Sequence, residues 1–221
     1  MASHSCSCVL VAGSVSLVVS HSRVSLFHMM VPPSRITADV RRLCRKLGDV
    51  EEPVFVEVEP RTDSGLNDCF MDVQRQVAEF GGSVQHGWLI WLLPGILIEG
   101  EFHSVWRRPD ASLLDVTFKQ DRERQILFAP DRVRQFADLR VPTIRHAIGR
   151  DPRIKQFMEL SERFQRLAGE RYRDRFGQAV VLEDDLIALR RRMTALGVEL
   201  MQSREARRAS GQSFFPPQAQ I

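Results

Sequence analysis

Hydrophobic positions along this chain switch between two spacings. Ile36, Val40, Leu43, Cys44 and Leu47 fall on one face at helical steps, which predicts a short amphipathic helix over 36–47. "PVFVEVEP" at 53–60 then alternates apolar and acidic side chains, as a half-buried strand does. Phe70, Val73, Val77 and Phe80 return to helical spacing. They predict a helix over 69–80, started by Asn67 or Asp68 and ended by Gly81-Gly82. Apolar segments at 83–92, 96–107 and 113–118, divided by Pro94-Gly95 and by the turn "RPDAS", predict three consecutive strands, with a further one at 126–129.

Beyond 131 the spacing is helical. One stripe runs through Ile154, Phe157, Ser161, Phe164, Leu167 and Ala168, from Pro152 to about Phe176. A second, over 184–207, carries Leu186, Leu189, Met193, Leu196 and Leu200. The expected fold is therefore α+β: a core over 30–130, with a helix followed by an antiparallel sheet, and a helical C-terminal region over 131–208. Residues 1–29 are rich in Ser, Val and His and are expected either to be disordered or to precede the true start, for which Met29-Met30 is the natural candidate. The tail 209–221 is predicted to be disordered.

Composition narrows the function classes. The chain is 43% hydrophobic and 27% charged, with a net charge of +3, which is ordinary for a globular protein. The charge is uneven: residues 1–130 carry 13 basic and 16 acidic side chains, residues 131–221 carry 18 and 12. Arg190-Arg191-Arg192, Arg204, Arg207 and Arg208 make basic patches, but acidic residues interleave and no base-stacking aromatic motif accompanies them. A solvated helix surface, open to a protein partner, is expected rather than nucleic-acid binding. Val9–Val19 is short and broken by Gly and Ser, so no membrane span is expected. The four cysteines, Cys6, Cys8, Cys44 and Cys69, fit neither a disulfide framework nor a paired CxxC metal site. His4, Cys6 and Cys8 lack a second ligand pair, so no metal is expected. A reducing, cytoplasmic setting follows.

Three residues carry candidate chemistry. Cys69 opens its helix, where unpaired N–H groups and the dipole favour a thiolate and an oxyanion. The same position suits a small core cysteine sharing a face with Val73 and Val77. On the 96–107 strand Ile96, Ile98, Phe102 and Trp106 point one way, and Glu99, Glu101, His103 and Val105 the other. His103 is thus expected on the more polar face. If the next strand pairs antiparallel across "RPDAS", Asp115 comes beside His103, where its carboxylate would fix the ring and leave the other nitrogen for the thiol proton. Each is an ordinary residue alone; together, in this order, they describe a thiol nucleophile with its base and orienting acid. The expected thiol pKa is below the ordinary value, with Asp68 opposing the shift if it approaches the sulfur.

These segments carry a resemblance. "NDCFMDV" at Cys69, "FHSVW" at His103 and "LLDVT" at Asp115 resemble the transglutaminase-like branch of the papain-like thiol enzymes, over residues 60–130. The run from Gly81 to Phe118 also resembles a group of small bacterial proteins. Val116 and Phe118 stand where that branch often has prolines, and Asp68 where it has a glycine. The resemblance implies a papain-like core and hydrolysis or transfer at a peptide or other amide bond. Cys69, His103 and Asp115 would form the triad, with no metal or organic cofactor. In some papain-like enzymes a side-chain amide assists the oxyanion, a role Gln85 would fill here. Trp88 and Trp106 are candidates to line a substrate groove, and Glu101 to read a basic substrate. The alternative is a non-catalytic interaction protein that keeps the fold and binds a protein or nucleic acid through its Arg-rich C-terminal helices.

Overall fold

The computed structural model describes residues 30–65, 68–135, 141–171 and 182–209. The segments expected to lack structure, 1–29 and most of 209–221, lie outside them, as does the predicted end of the third helix at 172–176. In chain order the elements are α1 (Ala38–Leu47), β1 (Val54–Val58), α2 (Cys69–Phe80), β2 (Ser83–Leu93), β3 (Leu97–Arg107), β4 (Leu113–Asp115), β5 (Gln125–Pro130), β6 (Ile144–Ala147), α3 (Pro152–Arg171) and α4 (Asp184–Ala209). The protein is α+β.

Local chemistry explains the helix ends. Thr37 caps α1, its hydroxyl accepting the Val40 N–H at 3.3 Å. Asp39 in the first turn and Arg45 and Lys46 in the last complement the helix dipole. At the end of α2, Gly81 and Gly82 hold φ of +73° and +82°, and a Cβ on Gly82 would come 2.3 Å from the Arg107 carbonyl oxygen. Only glycine makes that turn into β2.

The sheet runs β2-β5-β1-β4-β3-β6, and β2 also pairs with β3. The first five strands therefore close into a barrel, with β6 hung outside on β3. The expected all-antiparallel sheet is corrected: β1 and β4 are parallel. The chain between them passes through α2, β2 and β3, the kind of long crossover a parallel pair requires. β6 is a second correction, because its stretch was read within a helical region. It pairs with β3 from Leu97↔Ala147 to Gly100↔Ile144. The strand expected over 113–118 stops at Asp115, whose Oδ1 accepts the Thr117 N–H at 2.9 Å and bends the chain away.

The barrel lumen is filled by Val56, Val58, Leu89, Val105, Ile126 and Phe128. Outside, α1 lays Val40, Leu43 and Leu47 on Trp88, Ile90, Ile98, Phe102, Leu127 and Ala129. Gly100 permits this approach, since a Cβ there would meet Leu47 at 2.8 Å. α2 packs Val73 on Trp106, Leu114 and Val116. Its stripe is shorter than the spacing suggests: Phe80 is 56% exposed, though its ring still touches Trp106. α3 and α4 pair with each other and cover Leu93, Ile96 and Leu97 through Ile154, Leu200 and Met201.

Candidate active site

β3 and β4 form the expected hairpin, with Trp106 opposite Leu114 and Arg107 opposite Leu113. Leu114 faces α2, so Asp115 faces the lumen, as His103 does on β3. The face expected to be polar is thus the inside of the barrel, where His103 meets the Phe128 ring edge-on at 6.5 Å between centroids. His103 and Asp115 are 5% and 0% exposed, and His103 Nε2 lies 2.9 Å from Asp115 Oδ2. Lys119, 8% exposed, completes the cluster. Its Nζ is 2.7 Å from the same Oδ2 and 3.4 Å from His103 Nε2.

These partners assign the ring tautomer. The two neighbours of Nε2 call for opposite tautomers, because Asp115 Oδ2 accepts a proton from it and the Lys119 ammonium can only donate. The carboxylate contact is the shorter, 2.9 Å against 3.4 Å, and Lys119 is satisfied by Asp115 at 2.7 Å, so Nε2 carries the ring proton and donates it to Asp115. Nδ1 keeps a lone pair and makes no hydrogen bond among the described residues. Burial works against charge on Asp115, but Lys119 and then His103 outweigh it and hold the carboxyl well below the usual carboxylate range.

Cys69 approaches the same strand from outside. β6 pairs with β3 up to Gly100 and β4 from Trp106, so residues 101–105 have a strand neighbour only on the β2 side. The start of α2 fills that slot. Phe70 packs on Phe102 and His86, and the Cys69 sulfur comes close enough to the Ser104 backbone N–H for it to favour the thiolate. Cys69 makes no hydrogen bond to His103, so the expected line of three side chains is realised only between His103 and Asp115. The expected lowering of the thiol pKa is also corrected. Burial pushes the Cys69 thiol far up; Lys119 and the Ser104 N–H pull it down, while Glu101 and Asp115 add to the rise. Cys44, expected to be buried, is half-buried, and burial likewise pushes its thiol up, to about 11.

Asp68 stands at the N-cap of α2 without a side-chain cap bond, and the first helical bond is Asp72 N–H to Asp68 O at 2.8 Å. The N–H groups of Cys69, Phe70 and Met71 lie ahead of this bond, at the positive end of the helix dipole.

Other candidates are tied elsewhere. Gln85 donates to the His86 carbonyl at 2.7 Å and accepts from Arg107, so its amide is spent on the barrel and does not serve an oxyanion. Trp88 is fully buried and donates to Asp131 Oδ2 at 3.0 Å. Trp106 packs on Val73 and donates to the Gly81 carbonyl at 2.9 Å. Both are core residues, and each indole N–H is taken up within the fold. Glu101 shares the face of His103 and accepts the Trp91 indole N–H at 3.0 Å. Lys119 was not singled out by the sequence: four residues after Asp115 in a polar stretch, it has the spacing of a surface lysine.

Comparison of the chain with protein-family models, curated proteins and solved structures yields no match. Among the described residues no group of three or more His, Cys, Asp or Glu is arranged to hold a metal ion, and no helix is long and apolar enough to cross a membrane.

Proposed function

We propose that this chain carries out thiol-dependent acyl chemistry on a peptide or other amide bond. Cys69 is the nucleophile, His103 the general base and Asp115 the group that orients the ring. One observation carries this: His103 binds Asp115 through Nε2, which leaves Nδ1 unpaired on the strand whose next amide faces the Cys69 sulfur. A barrel packed against a helix that opens on the nucleophile supports a papain-like, transglutaminase-like core on the same grounds.

In the first half-reaction the sulfur bonds to the acyl carbon and its proton passes to His103 Nδ1. The carbonyl oxygen takes up the negative charge, which the N–H groups and the positive dipole end at the start of α2 stabilise. The carbon–nitrogen bond then breaks, and the leaving amine takes the proton from Nδ1. Water, or a second amine, attacks the thioester carbon and gives its proton to Nδ1, which returns it to the departing sulfur. Water makes the chain an amidase; an amine makes it an acyl transferase.

The burial of Cys69 favours a second reading, a non-catalytic interaction protein. In it the His103–Asp115–Lys119 cluster serves only the barrel, and the C-terminal helices bind a protein partner. A thiol-reactive acyl probe separates the two. Wild type should form a covalent adduct at Cys69; His103→Ala should lose most of it, and Asp115→Asn part of it. Absence of adduct in folded wild type, or equal adduct in His103→Ala, would favour the interaction protein.

A further inference from the structure

We propose that Lys119 is a positioning residue that keeps the Cys69–His103 pair uncharged at rest, so that the thiol proton leaves only as the sulfur attacks the acyl carbon. This rests on the thiol chemistry proposed above. Its basis is a contact geometry that the triad alone does not require. Lys119 Nζ lies 2.7 Å from Asp115 Oδ2 and 3.4 Å from His103 Nε2, and all three side chains are buried.

In a triad without the lysine, the carboxylate is the sole counter-charge of the ring and favours the imidazolium. Here a fixed ammonium already neutralises Asp115. A proton added at Nδ1 would place a second positive charge on a ring whose Nε2 is 3.4 Å from that ammonium, in a site with little water to screen it. Lys119 also attracts a thiolate, but it makes no hydrogen bond to Cys69, so this pull acts over a longer distance than the repulsion of the ring. The remaining charged neighbours do not reverse the balance. Glu101 on β3 and Asp115 at the end of β4 both oppose a thiolate at Cys69, and the Glu101 carboxylate is tied to Trp91. The uncharged pair is thus the resting state, and the proton moves with bond formation.

The test is the rate of Cys69 alkylation by iodoacetamide on the full chain, from about pH 5 to about pH 10, a range that spans the ordinary imidazole and thiol values. Wild type should label only along an alkaline limb. Lys119→Met should add a plateau near neutral pH, at least about tenfold above wild type, the change that one pKa unit produces. Lys119→Arg, which keeps the charge, should restore the wild-type profile. A folded Lys119→Met chain with the wild-type profile would reduce Lys119 to a structural role, provided His103→Ala still loses its acyl-probe adduct. Equal acyl-probe adduct in His103→Ala and wild type would instead sink the thiol chemistry itself. If Lys119→Met does not fold, the wild-type ring nitrogen chemical shifts decide. Those of the Nε2–H tautomer at neutral pH support the proposal, and those of an imidazolium overturn it.

Discussion

His103 and Asp115 meet through Nε2 and Oδ2 at 2.9 Å across the short turn that joins β3 to β4, and the same oxygen takes the Lys119 ammonium at 2.7 Å. One carboxylate oxygen thus holds two buried donors. Asp115→Asn removes the charge and leaves Lys119 buried without its partner. Breaking a buried pair in this way costs about 3–5 kcal/mol. Urea unfolding should show a loss of that order, with far-UV circular dichroism reporting whether the variant still folds. Asp110→Asn, in the exposed turn where the carboxylate binds only Ser112, should change little. Similar losses for the two would mean that the ion pair contributes nothing net.

The same cluster sets an acid limit. The Asp115 carboxyl is held below its unfolded value of about 3.9, so its contribution is complete above that pH and disappears as pH falls through the folded value. Asp72 and Glu99 act in the opposite sense, because burial raises both. Wild-type stability should therefore fall steeply below about pH 4, the unfolded carboxylate range, and Asp115→Asn should flatten that slope. A series of urea melts at stepped pH measures it; an unchanged slope in the variant would contradict the assignment.

At the alkaline end the thiols govern. Burial raises Cys69, and raises Cys44 to about 11. Each thiol stays protonated in the fold, so stability is complete below the unfolded value of about 8.5 and declines as pH rises beyond it. At neutral pH, iodoacetamide should modify native Cys69 more slowly than in urea, by at least about tenfold, the ratio one pKa unit represents. Native labelling within about threefold of the unfolded rate, well inside the tenfold that one unit represents, would show that the sulfur is open to solvent.

Gly87 lies opposite His103 across β2 and β3. A Cβ there would come 2.4 Å from both the Ala129 carbonyl oxygen and the Phe128 ring. Gly87→Ala must push Phe128, which packs edge-on to the His103 ring. Overpacking of this kind costs about 1–3 kcal/mol, and the His103 ring proton resonances should shift with it. Gly169→Ala, with nothing within 4 Å of the new Cβ, is the control.

Local signals made much of this legible in the sequence. The glycine stop of α2 is a short-range signal, so its end follows from Gly81-Gly82, whereas α1 starts later than the expected residue 36 because Thr37 takes the cap. A two-residue period and a short turn fix the β3–β4 hairpin, which is why His103 and Asp115 could be put on one face before the fold was known. Barrel closure was not legible, because it depends on β1 pairing with β4 and β5 far along the chain. Without it, a face bearing glutamates and histidine looked solvated when it is lumen. The slot that buries Cys69 depends on β6, whose four residues "IRHA" show no strand period of their own. Lys119 had no pattern to announce it.

Because β2 and β3 join to close the barrel, the described sheet has few backbone groups left to offer another chain. The slot along 101–105 of β3 is taken up by the start of α2, and Val31 bridges Leu92 at the far end of β2. The outer side of β6 is an open edge, four residues long and carrying Arg145 and His146. A short, charged edge is a poor template for strand addition. Growth of the sheet by recruiting strands from neighbouring molecules would find a weak foothold there.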